Sequence, residues 1–240
     1  MVCYPIKMTA LSALDLTAVW LWLLLWVGYP YFAGLLSHNR PNLLAYTHPY
    51  RRQWMQNALG RENRIADAAL VGNLMQTSTF FSSTTVLILG ALLALLGSID
   101  EGLRIVASLP LAEQQTASHV EIKALVLLGI FVHALVRFTW ALRQFNVVNI
   151  LVGAMPSHGE RMHDQRAVLN ADQAARLVEL AGENFSHGVR SYYYAVPVLL
   201  WFVNAWLLLG TALLMTLLLY WMDFRSATVR ALSESEHSNE

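Results

Sequence analysis

Apolar residues dominate four stretches of the chain, and the segments between them are polar and rich in arginine. The stretches are residues 16–36 (LTAVWLWLLLWVGYPYFAGLL), 80–99 (FFSSTTVLILGALLALLGSI), about 124–142, and about 195–222 with Pro197 and Asn204 inside. A helix rising about 1.5 Å per residue needs about 20 such residues to cross the roughly 30 Å hydrocarbon layer of a bilayer, where no water satisfies a backbone amide. The pattern predicts an all-α polytopic membrane protein with four transmembrane helices in one domain, residues 1–225. The remaining SATVRALSESEHSNE, residues 226–240, offers little to bury and is expected to be frayed or disordered.

The polar segments predict helical extensions of these spans. In HNRPNLLAYTHPY, Pro41 and Pro49 discourage helix, but from Arg51 to Gly97 there is no proline, which predicts one long helix rising from the cytoplasm into span two. Before span four, VLNADQAARLVELAGENF returns Val168, Ala171, Ala175, Val178 and Ala181 on one face, so this helix is expected to lie on the membrane or against the other cytoplasmic helix. Basic loops stay in the cytoplasm. Arg40, Arg51, Arg52, Arg61 and Arg64 fall between spans one and two, and Arg143, Arg161, Arg166, Arg176 and Arg190 between spans three and four. The loop with Asp100, Glu101, Glu113 and Glu121 against Arg104 belongs outside. The expected location is the inner (plasma) membrane, multi-pass, with both termini outside.

Composition narrows the function classes. The chain has 240 residues, 56% hydrophobic and 13% charged, with zero formal net charge, so it offers nucleic acid no basic landing surface. The first apolar run lacks a cleavage site and is expected to stay as an anchor. Cys3 is the single cysteine, which rules out an intrachain disulfide. No phosphate loop, paired-cysteine motif or serine elbow is present, so no catalytic residue is assigned. His158, Glu160, His163 and Asp164 in SHGERMHD are metal-ligand types but lack the i, i+4 histidine pair of a helical zinc site; they read as a solvated loop, and no metal is assigned. A haem between two histidines needs two ligands inside the membrane, whereas His38 and His187 flank it and His133 alone lies within, so no cofactor is assigned.

The chemistry of the spans concentrates on HALVRFTWALRQFN, residues 133–146. A charge in the bilayer costs roughly 3 kcal/mol and is kept when it snorkels, pairs or faces water. Arg137 lies six residues from Arg143, hence about 9 Å below the cytoplasmic boundary, and shares a helix face with His133, Trp140 and Gln144. Asp67, with Asn73 and Gln76 after it, offers acceptors, and an Arg137–Asp67 pair is expected, either as a structural clamp or beside a solute path. A stripe of Gly72, Gln76, Thr79, Ser83, Val86, Gly90, Ala94 and Gly97 either packs against another helix or lines a hydrated route through Gln76, Thr79 and Ser83.

Three blocks carry a family resemblance: RRQWMQNALGRENRIADAALVGNLMQTSTFFSSTTVLILGALLALLG, RFTWALRQFN, and ENFSHGVRSYYYAVPVLLWF. They resemble the domain of unknown function 599 (DUF599), four-span membrane proteins of bacteria with relatives in plants. Ser186 and His187 stand where the family pattern has asparagine and arginine. The resemblance implies an integral membrane protein with an arginine-rich cytoplasmic side and supplies no activity or cofactor. The expected function is that of a homo-oligomeric channel-like or transport-associated protein, not an enzyme. Arg51, Arg52, Arg61 and Arg64 would form a basic cytoplasmic face favouring a small anion. The alternative is a non-transporting scaffold whose arginines and Trp54 meet anionic lipid or a partner protein; a haem or quinone enzyme is the third reading.

Overall fold

The computed structural model describes residues 12–37, 41–108, 115–156 and 165–237. Cys3, His38 and the SHGERMHD loop lie outside the described residues. The elements are α1 (Ala13–Ser37), α2 (Leu43–Leu59), α3 (Ile65–Gly97), α4 (Ile99–Ala107), α5 (Ala117–Ala154), α6 (Gln165–Trp201), α7 (Ala205–Phe224) and α8 (Ala227–His237), with no strand among the described residues. Four of them, α1, α3, α5 and α7, are long and apolar enough to cross a membrane.

At 38 residues, α5 is about 57 Å long, nearly twice the thickness of a hydrocarbon layer. It threads both halves of the molecule. Its buried residues Val120, Ala124, Leu127, Phe131, Ala134, Phe138, Ala141, Phe145, Val148 and Val152 alternate at spacings of four and three. That 3.5-residue repeat is the seam of a coiled coil, and α6 runs antiparallel along it. Small residues on α6, including Ala171, Ala174, Ala181 and Gly188, let the two helices approach closely. On α3 the buried positions Val71, Ser78, Thr85 and Leu92 recur every seven. Two apolar cores result. One joins α1, α3, α5, α6 and α7 at the membrane level; the other joins α2, α3, α5 and α6 beyond it. The amphipathic face of α6 thus packs on helices, and it begins at buried Ala167, while Val168 is exposed.

The fourth apolar stretch is not one span. Residues 202–204 turn, and the Asn204 side chain accepts from the Trp206 amide at 2.8 Å to cap α7. Contacts of Tyr194 with Thr216 and Arg190 with Asp223 then zip α6 and α7 into a hairpin. Trp201 sits beside Lys123 at the start of α5, and its indole donates to Asp15 at the start of α1. Residues 185–201 of α6 therefore run beside the four long helices at the same level. Consequently the start of α1 and the end of α7 lie at opposite ends of the bundle, whereas a single fourth span had placed both termini on one side. Replacing Asn204 with alanine is expected to cost about 1 kcal/mol by removing the cap, read as a lower unfolding midpoint in detergent.

Three further expectations change. The helix predicted from Arg51 to Gly97 breaks at residues 60–64, because the Gly60 amide turns back onto Ala58 and Asn57 while Arg64 binds the carbonyls of Ala58, Met155 and Pro156. Ala58 lies in the last turn of α2 and Met155 and Pro156 directly follow α5, so Arg64 ties the ends of the two helices together. Pro49 lies inside α2, which starts instead at the Asn42 cap, whose side chain accepts from Ala45. The polar tail forms α8, where buried Val229 gives it something to pack.

Candidate functional site

The polar stripe of α5 faces α6. Arg137 donates from Nε to His133 Nε2 at 3.3 Å and from Nη1 to Asn184 Oδ1 at 3.0 Å; Asn184 in turn donates to Gln144 Oε1 at 3.0 Å. His133 Nδ1 lies 2.9 Å from Ser191 Oγ, which itself donates to the His187 carbonyl. Both ring nitrogens of His133 are thereby engaged, which leaves neither free as a haem ligand. The aromatic rim is Trp26, whose ring meets the His133 imidazole edge-on at 5.3 Å.

Asp67 is not the partner of Arg137. It is fully buried at the start of α3, where it accepts from Trp54 Nε1 at 2.7 Å and from Arg61. The α3 residue level with Phe138 is Phe81, fourteen positions and thus about 21 Å further along the helix. Among the described residues Arg137 has no carboxylate partner.

One turn further along α6 the acid–base balance differs. Arg190 Nη2 binds Asp223 Oδ2 at 2.9 Å, Tyr29 donates to the same oxygen at 2.8 Å, and the guanidinium lies 5.4 Å from the Tyr29 ring. Two cavities meet at Pro30, His187 and Arg190. The larger, about 680 Å³, opens between α1, α2, α6 and α7, and includes Arg51, Glu179, Glu183 and Asp223 in its lining. The smaller, about 350 Å³, lies between α1, α5 and α6 and is lined by Trp26, Val27, Pro30, Tyr31, His133, Arg137, His187 and Arg190. It contains two guanidiniums, two imidazoles and no carboxylate.

The other predicted site residues lie elsewhere. Asn73, Gln76, Thr79 and Ser83 are exposed on the outward side of α3, and an added Cβ at Gly72, Gly90 or Gly97 would meet nothing. The stripe therefore lines no route within the subunit. The basic face is also largely spoken for: Arg61 holds Asp67, Arg64 caps helix ends, and Arg52 pairs with Asp172 at 3.2 Å. Trp54 donates to Asp67 and so does not reach outward as an anchor. Arg51 turns inward over Gly182, where a Cβ would stand 3.2 Å from its guanidinium, and its Nη1 is buried with no hydrogen-bond partner among the described residues.

Asn184, Ser191, Asp223 and Tyr29 escaped the sequence reading, and Arg190, counted there among the arginines of the loop before span four, lies instead within α6 at the membrane level. Asp223 left a signal, as the one charged residue between Ala195 and Phe224. Asn184 left none, because its role depends on the pairing of α5 with α6.

Beyond the membrane level, burial and neighbouring Glu179 hold the Glu183 carboxyl above its usual range, against the pull of Arg51. The folded chain then holds this proton more tightly than the unfolded chain, so the Glu183 charge opposes folding above the folded pKa and ceases to matter below the unfolded one. Glu183→Gln is expected to raise the melting temperature by about 1–2 °C at pH 8, and the gain is expected to vanish toward about pH 4.

A model of the family described as "Protein of unknown function, DUF599" matches residues 17–228. No curated protein and no solved structure matches the chain.

Proposed function

The chain belongs to the DUF599 family, and from that premise we propose that it is a transport-associated, anion-binding membrane protein whose site is the cavity between α1, α5 and α6 of each subunit. The observation that carries this reading is the charge balance at the membrane level. Arg190 and Asp223 compensate each other, whereas among the described residues Arg137 bonds to His133 and Asn184 and to no carboxylate. A guanidinium kept in an apolar layer needs a counter-charge or water, and the cavity it faces is lined by donors without a carboxylate. An oxyanion supplies the missing charge and accepts from both arginines.

The test is a titration of the purified protein in neutral detergent with oxyanions from inorganic phosphate to alkyl phosphates, using wild type and Arg137→Gln. At a hundredfold excess over Kd a ligand stabilises the folded state by about 2.7 kcal/mol, which thermal unfolding resolves. An oxyanion that stabilises wild type and not Arg137→Gln is expected. If every oxyanion shifts the two proteins equally, the reading is wrong. Flux of the same anion from liposomes separates transport from the scaffold alternative, for which binding without flux is the signature.

The arginine-rich end fits the cytoplasmic side of the plasma membrane, which leaves the N-terminus outside and the C-terminus inside, with Arg225 and Arg230 joining the basic end. A C-terminal green fluorescent protein fusion is expected to fluoresce and a C-terminal alkaline phosphatase fusion to be inactive; the reverse pattern would overturn this topology. Homo-oligomers are best served by the outward stripe of α3, where small residues from Thr79 to Gly97 leave room for a second backbone.

A further inference from the structure

We propose that the anion taken by the α1–α5–α6 cavity is the head of an amphiphile, an oxyanion on an alkyl chain, which enters sideways from the bilayer through the gap between α1 and α5. This rests on the anion-site reading above and adds the ligand class and its route.

The route follows from what surrounds the cavity. Pro30, His187 and Arg190 stand between this cavity and the larger one, and Arg190 is fixed there by Asp223 on one side and the Tyr29 ring on the other. A hydrophilic anion coming from that end would have to break a partly buried ion pair. Toward the bilayer there is no such barrier. Helix α1 packs mainly on α7, and its approach to α5 at this level is the edge of Trp26 against His133. The rim is open and largely hydrocarbon or aromatic: of the lining residues on α1, Val27 is 51% exposed and Tyr31 73%. In a membrane-crossing bundle such outward side chains face acyl chains. The cavity thus presents cationic donors at its base and hydrocarbon-compatible walls at its mouth, the two halves of an amphiphile's recognition. Arg137 lies about 9 Å inside the arginine-marked boundary, within reach of a head drawn slightly below the other headgroups.

The experiment uses the full chain in phosphatidylcholine nanodiscs, titrated with inorganic phosphate, butyl phosphate, octyl phosphate and dodecyl phosphate and read by native mass spectrometry. Affinity is expected to rise with chain length in wild type, by up to roughly fourfold for each methylene that reaches the rim, and this rise is expected to disappear in Arg137→Gln. Arg137→Lys, which keeps the charge, is expected to retain part of it. Val27→Trp, which fills the gap between α1 and α5, is expected to weaken dodecyl phosphate at least tenfold, and by more than it weakens inorganic phosphate; equal losses for the two would overturn the lateral route. If inorganic phosphate binds as tightly as dodecyl phosphate and both need Arg137, the amphiphile is excluded and the anion site stands. If the chain-length series is the same in wild type and Arg137→Gln, the alkyl phosphates merely partition into the bilayer, and both the amphiphile and the anion site fail.

Discussion

Gly188→Leu is expected to cost about 3 kcal/mol and to lower the melting temperature by on the order of 10 °C. An atom at the Gly188 Cβ position would stand 2.5, 2.7 and 2.8 Å from three ring carbons of Phe138. That ring has nowhere to go. Phe138 is fully buried, with Phe81, Phe185 and Tyr192 centroids 5.4, 5.6 and 6.0 Å away. The added side chain must therefore separate α5 from α6, and with them the pairing of Arg137 with Asn184. Phe138→Ala opens space for it, so the double variant is expected to be more stable than the sum of the two single losses predicts. Melting in detergent measures this; a Gly188→Leu protein that unfolds at the wild-type temperature would mean that the seam is not packed this tightly.

Asp223→Ala is expected to cost about 3 kcal/mol, because it strands the Arg190 guanidinium in a largely buried site and removes the acceptor of the Tyr29 hydroxyl. The direction reverses when both charges go. Arg190→Met with Asp223→Ala is expected to recover most of the loss, since an apolar replacement of a buried pair carries no desolvation penalty. The contrast isolates the uncompensated charge as the cause. A double variant as unstable as Asp223→Ala would instead attribute the loss to packing at the ends of α1 and α7.

The candidate site was only partly legible in the sequence. His133, Arg137 and Gln144 were found because helical spacing alone puts them on one face and because charge is rare in apolar runs. Their partners were not found, since Asn184 and Ser191 lie 47 and 58 residues away and nothing local relates them. Asp67 looked like the natural counter-charge on grounds of type and side of the membrane, but register along two long helices sets it about 21 Å too far. The four arginines of the basic face could be counted, yet whether each pointed outward depended on the groups that α2, α3, α5 and α6 bring to them.

The sequence by itself determined that this is an all-α membrane protein with four strongly apolar helices, because long apolar runs can satisfy their amides in lipid only as helices. It also determined which end of the bundle is basic. The tertiary structure decided the rest. Residues 185–201 carry Ser186, His187, Arg190, Ser191 and three tyrosines, too polar to read as a lipid-facing span, yet α1, α3, α5 and α7 surround them and take up the hydrogen bonds of Arg190, Ser191, Tyr192 and Tyr194. Shielding by neighbours, which no local pattern records, is what admits that segment to the membrane level and sets the start of α1 and the end of α7 at opposite ends of the bundle.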